Sequence, residues 1–169
     1  LDGDDFFLKN KVKSIVNIFK KNKKLNFLQD NPFYFYPNNK LKIKKKIRTK
    51  MFTFHTWPYF NPTSTMVFRR NFLDKLLNEI YFSKNKFGRM FFDARAFIFI
   101  YFFEKNYLRL NKYFTLYNQN LLGDTIKNYN EINSEWWKRR FEYHSFVKSL
   151  FQKKKKINFK LIDYYLTSF

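Results

Sequence analysis

Apolar positions recur at helical spacing over residues 5–20, "DFFLKNKVKSIVNIFK". Phe6, Leu8, Val12, Ile15, Val16 and Phe19 fall on one stripe with lysines opposite. Asp4 and Asp5 stand at the favourable end of the helix dipole, and "KKNKK", Lys20–Lys24, at the other. Residues 29–63 break the pattern. Pro32 and Pro37 frame "PFYFYPNN", and Pro58 and Pro62 frame "PYFNP", a spacing that interrupts helices and does not suit central strands. Between them "LKIKKKIRTKMFTF" alternates imperfectly, which predicts an extended basic arm or an edge strand near residues 40–54.

From Thr63 the helical period returns. Thr63, Ser64 or Thr65 caps a helix carrying Val67, Phe68, Phe72, Leu73, Leu76, Leu77 and Ile80, with Gly88 as its stop. Asp93 caps the next, with Ala94, Phe97, Ile98, Tyr101, Phe102 and Leu108 inward; a short strand at 97–103 is the alternative for its β-forming residues. Tyr113–Leu122 predicts another helical stretch ending at Gly123. Ser134 then opens a helix with Trp137, Phe141, His144, Val147 and Phe151 inward, and "QKKKK" closes it. The apolar tail "INFKLIDYYLTSF" has to dock on something. The expected fold is mostly α, a helical body of about four helices with a basic arm. It divides into a basic amphipathic helix over 1–28, a Pro-framed irregular segment with the arm over 29–63, and the helical body with its basic tail over 64–169.

Composition changes how the aromatics are read. The chain of 169 residues holds 25 Phe, 12 Tyr and 3 Trp but only three Gly. Phe, Tyr, Lys, Asn and Ile have codons built mainly of A and T, so the enrichment fits an AT-rich genome filling core positions with Phe. An aromatic residue here is therefore core first and functional second. No Cys is present, which excludes disulfides and thiolate metal sites. The longest apolar run, Ala96–Phe103, is far shorter than the roughly 18–20 residues of a membrane span. The acidic opening resembles neither a signal nor a transit peptide. Beginning at Leu1, the chain is expected to be part of a longer product or to use a non-standard start codon.

Charge narrows the partner. A net charge of +21, from 34 Lys+Arg against 13 Asp+Glu, repels itself in a compact body and suits a polyanion. The excess is spread, +10 over 1–50, +7 over 51–152 and +4 over 153–169, as for a protein surrounded by folded RNA. Cationic clusters occur at Lys9–Lys13 and elsewhere along the chain. The candidate RNA-binding residues are Lys20, Lys21, Lys23, Lys24, Lys40, Lys42, Lys44, Lys45, Lys46, Arg48, Lys50, Arg69, Arg70, Lys138, Arg139, Arg140, Lys153, Lys154, Lys155 and Lys156. His55, Trp57, Tyr59 and Trp136 are candidates for stacking on unpaired bases. The plainer reading of each cationic run is a solvated face, and of each ring an anchor in the core. His55 and His144 are too few for a metal cluster, and neither a glycine-rich phosphate loop nor a nucleophile motif occurs. No catalytic residue, metal, cofactor or small-molecule substrate is expected.

In size, charge, basic arm and AT-driven Phe, Lys, Asn and Tyr usage, the chain resembles the divergent ribosomal proteins encoded by AT-rich mitochondrial genomes. The resemblance is one of character over the whole length, and no family residues are carried over. It implies a structural constituent of a mitochondrial ribosome in the matrix, translation as its process, and rRNA and neighbouring ribosomal proteins as partners. The alternative is a matrix-side accessory subunit of an inner-membrane respiratory or ATP-synthase complex, against which the missing span weighs.

Overall fold

The structure, a computed structural model, describes residues 5–35, 41–42, 61–81, 86–118 and 134–154. Four α-helices occur among them: α1 (Lys11–Lys21), α2 (Arg70–Ile80), α3 (Phe92–Phe103) and α4 (Ser134–Lys153). Five strands accompany the helices: β1 (Phe6–Phe7), β2 (Phe27–Phe35), β3 (Leu41–Lys42), β4 (Met66–Phe68) and β5 (Tyr107–Asn118). They form one curled mixed sheet. The expectation of a mostly α fold is overturned: this is an α/β protein.

The sheet is built around β2 and β5, which run parallel from Phe27↔Tyr107 to Phe35↔Asn118. Parallel neighbours need a crossover, and here it runs through β4, α2 and α3. β1 lines the far side of β5, antiparallel, with Phe7 opposite Thr115. On the other edge of β2, β4 pairs with Phe27–Gln29 and β3 with Tyr34 and Phe35.

Two of the four main corrections concern these long strands. Residues 29–35 were expected to be irregular because of Pro32. That proline sits where the β2–β5 register shifts, between the stretches paired by β4 and β3, so its missing N–H interrupts neither. Residues 113–118 were expected to be helical, yet "YLRLNKYFTLYN" is rich in Tyr, Phe and Thr and lies flat against β2 as a twelve-residue strand. Leu108, expected inside a helix, belongs to it too. The third correction is at Thr63–Thr65, a 3₁₀ turn leading into β4, with α2 starting only at Arg70 and ending at Ile80. Over 92–103 the helix prevails over the strand alternative.

Successive strand residues point to opposite faces, and this sorts the core into two layers. Phe27, Met66 and Phe68 face the helical body, where Phe72, Leu76, Ile80, Phe97, Ile100, Phe146, Leu150 and Phe151 close the main core. Leu28 and Val67 face the other way, onto Ile15, Ile18 and Phe19 of α1 together with Leu25. The sheet is thus covered by α1 on one face and by helices α2–α4 on the other. α3, buried from Ala94 to Ile100, is apolar almost all round, as its central position requires.

The fourth correction concerns the helix faces. In α1, Ile15 is buried and Phe19 half-buried, but Val12 and Val16 are exposed, and Phe6, expected on the same stripe, lies exposed in β1. In α4, His144, Val147 and Phe151 are buried as expected, joined by Phe146 and Leu150, whereas Trp137 and Phe141 are exposed. The buried face turns toward Tyr143, Phe146 and Leu150, away from the row through Trp137 and Phe141.

Candidate nucleic-acid interface

The α1 layer is pinned to the sheet by a buried polar cluster. Lys11 and Asp30 are 1% and 0% exposed and lie 3.0 Å apart. Lys11 Nζ also donates to Ser64 O at 2.7 Å and to Thr115 Oγ1 at 2.6 Å. Asp30 Oδ2 accepts from Thr115 Oγ1 at 2.8 Å and from the Phe114 N–H at 3.2 Å. The Lys11 ammonium also lies 4.0 Å from the centre of the Phe7 ring. Ser64 Oγ donates to Asp5 Oδ2, and Asp5 Oδ1 accepts from the Asn118 N–H at 2.9 Å. Asn61 completes the cluster, donating to Asp30 O at 2.8 Å while its own carbonyl accepts from Gln29 Nε2 at 3.3 Å.

Burial pushes the Asp30 carboxyl above the usual range and the Lys11 ammonium below its own, each countered in part by the opposite charge. Buried among these partners, this lysine ties β1, α1, β2 and β5 together. Asp5, expected only to complement a helix dipole, is instead buried within it. The sequence signal for Lys11 is its spacing: Lys11, Ile15 and Ile18 share one helical face.

That tie leaves the outer surface of α1 to cations. Lys9, Lys13, Lys20, Lys21, Lys23 and Lys24 are all exposed, and none has an acidic partner among the described residues. The acidic side chains described in this layer, Asp5 and Asp30, are both buried and engaged. Exposed Val12 and Val16 run in line with Lys20 on the helix surface. Of the predicted residues, Lys20, Lys21, Lys23 and Lys24 thus form one continuous basic surface. Lys9 and Lys13 extend it, once the buried Lys11 is taken out of that cluster.

The other predicted cations divide differently. Arg69 is turned inward: its guanidinium donates to Leu25 O at 2.9 Å and to Phe19 O and Asn22 O at 3.3 Å, closing the C-terminal end of α1. Arg70 is exposed beside Asp74, 3.3 Å away. Lys138 pairs with Glu135 at 3.0 Å. Arg139 and Arg140 are half-buried on α4. Lys153 and Lys154 both hold Glu79, at 2.9 and 2.7 Å. The Glu79 carboxyl is held below the usual range by these two ammonium groups. Lys42 lies in β3 and Trp136 in α4, where the backbone alone is described. Lys40, Lys44, Lys45, Lys46, Arg48, Lys50, His55, Trp57, Tyr59, Lys155 and Lys156 lie outside the described residues.

Among the described residues, no group of three or more His, Cys, Asp or Glu is placed to hold a metal ion, and no helix is long and apolar enough to cross a membrane. Comparisons with family profiles, with curated proteins and with solved structures find no match to this chain.

Proposed function

We propose that the protein is an RNA-bound structural subunit, a constituent of a mitochondrial ribosome, and that the outer surface of α1 is one of its RNA contacts. The observation that carries this reading is the set of six exposed lysines, Lys9, Lys13, Lys20, Lys21, Lys23 and Lys24, with no acid beside them on a chain of charge +21. Lysine ammonium groups are compact point charges suited to phosphate oxygens. One phosphate per lysine gives a log–log salt slope of about −4 on single strands and about −5 on duplex. The mechanism is charge neutralisation and shape-filling: the α/β body presents a rigid basic face, and phosphates that crowd in folded RNA are drawn against it.

An anionic membrane surface also offers phosphates. A lipid-bound helix, however, buries its apolar face in the bilayer, and α1 turns Ile15, Ile18 and Phe19 onto the sheet. Val12 and Val16 alone are a small lipid contact. RNA is therefore the favoured polyanion.

Sedimentation of the native assembly tests this. After detergent solubilisation, the chain is expected in a large particle that RNase disperses. Migration unchanged by RNase, with a respiratory or ATP-synthase complex, overturns it.

A further inference from the structure

Strands β1, β5 and β2 set one apolar row across the sheet. Phe6 lies opposite Leu116, and Leu116 opposite Phe33. Directly paired residues project to the same side of a sheet. The next row, Phe7, Thr115 and Pro32, projects to the other side, where Thr115 meets Lys11 of α1. The Phe6–Leu116–Phe33 row therefore looks away from α1. Phe35, two residues beyond Phe33, shares its side, and the Tyr113 ring lies 4.8 Å from that of Phe33. Phe6 is 60% exposed and the other four are half-buried. None of the five belongs to either core layer, so the filling of cores with Phe does not account for them.

The three strands that carry the row hold two cations, Arg109 and the exposed Lys112, and one acid, Asp30, which is buried on the α1 side with Lys11. Asp5, just before β1, is buried there too. Glu104 lies at the far end of β5, where it accepts from the Asn106 N–H at 2.6 Å. Rings without acids beside them, on a chain of charge +21, suit a ligand that is flat and apolar on its faces and anionic along its edge. An unpaired nucleotide fits that description: its base stacks on aromatic side chains while cations track the phosphates. A second copy of this chain would bring another +21 to the approach.

Given the RNA reading, on which this rests, we infer that the row Phe6–Leu116–Phe33, with Tyr113 and Phe35 beside it, stacks unpaired RNA bases on the sheet face turned away from α1. The protein then grips RNA in two ways, phosphates on the α1 lysines and bases on the sheet.

The test follows Phe6, whose exposure in a two-residue edge strand lets leucine replace it without touching the core. Hydroxyl-radical oxidation of the native assembly, read by mass spectrometry, is expected to find Phe6 protected several-fold until RNase removes the RNA. Fluorescence anisotropy of the isolated full chain is expected to show tighter binding of single-stranded oligoadenylate than of an abasic strand of equal length and charge. Phe6→Leu should weaken the first by about 5- to 150-fold, the range for one stacked base, and leave the second unchanged. Protection that survives RNase marks a polypeptide neighbour and overturns the inference. Oxidation of Phe6 that is equal with and without RNase, equal affinity for the two strands, or a Phe6→Leu chain that binds oligoadenylate as before also overturns it. Lysine acylation of the same assembly samples separates the two readings. If RNase releases the α1 lysines but not Phe6, base stacking alone fails; if it releases neither, both fail.

Discussion

Lys11 and Asp30 form an ion pair at 3.0 Å with both side chains sealed from water. Removing one partner strands the other's charge, which typically costs about 3–5 kcal/mol, whereas removing both costs far less. Lys11→Met alone is therefore expected to lose about that much stability, and Lys11→Met with Asp30→Asn less than the sum of the singles. Urea unfolding of the four forms measures the coupling. Additive losses would show that the pair does not hold α1 to the sheet.

Neighbouring residues of α1 should respond oppositely. Ile15 is buried against Leu25 and Leu28, so Ile15→Ala is expected to cost about 2–5 kcal/mol. Val16 faces solvent, and Val16→Ala is expected to stay within about 0.5 kcal/mol. Thermal unfolding distinguishes them, and equal losses would contradict the orientation of the helix.

Glu79 joins α2 to the end of α4 through Lys153 and Lys154. Its carboxyl titrates below the unfolded value, so the folded state binds fewer protons there and loses stability on acidification. The loss begins below about pH 4.5 and grows as pH falls through the lowered folded value. Glu79→Gln should flatten the unfolding midpoint against pH in that range. An unchanged profile would mean that the lysines do not hold the carboxylate.

Arg69 and Lys20 both stand at the C-terminal end of α1 but do different work. Arg69→Gln removes donors to three backbone carbonyls and is expected to lower stability while leaving the salt slope of RNA binding unchanged. Lys20→Gln with Lys24→Gln should leave stability alone and reduce that slope by about 1 per lysine. Fluorescence anisotropy across a salt series reads both, and a slope change in the Arg69 variant would return that residue to the interface.

The helices were the legible part of the fold because their period is local. Leu76 and Ile80 sit one turn apart and both are buried. β2 and β5 were missed because their evidence is a pairing between residues about eighty positions apart, as in Leu28↔Leu108, which a single-sequence period does not register. Pro32 concealed a strand that tolerates it only through a register shift. For the candidate interface, Lys20–Lys24 could be read directly as a charge run. The spacing of Lys11 with Ile15 and Ile18 sets it apart from exposed Lys13, but only the tertiary fold shows that Arg69 is committed to Leu25 O across 44 residues. Trp137 and Phe141 kept a core spacing while lying off the core. That depends on where α4 meets Arg89, a contact between segments distant in sequence.

The central claim is that RNA phosphates cover the α1 surface, and lysine acylation of the native assembly tests it most directly. Lys13, Lys20, Lys21, Lys23 and Lys24 are predicted to resist the reagent in the intact particle and to react fully once RNase has removed the RNA, whereas buried Lys11 resists in both. Equal reactivity of the exposed lysines before and after RNase would contradict it.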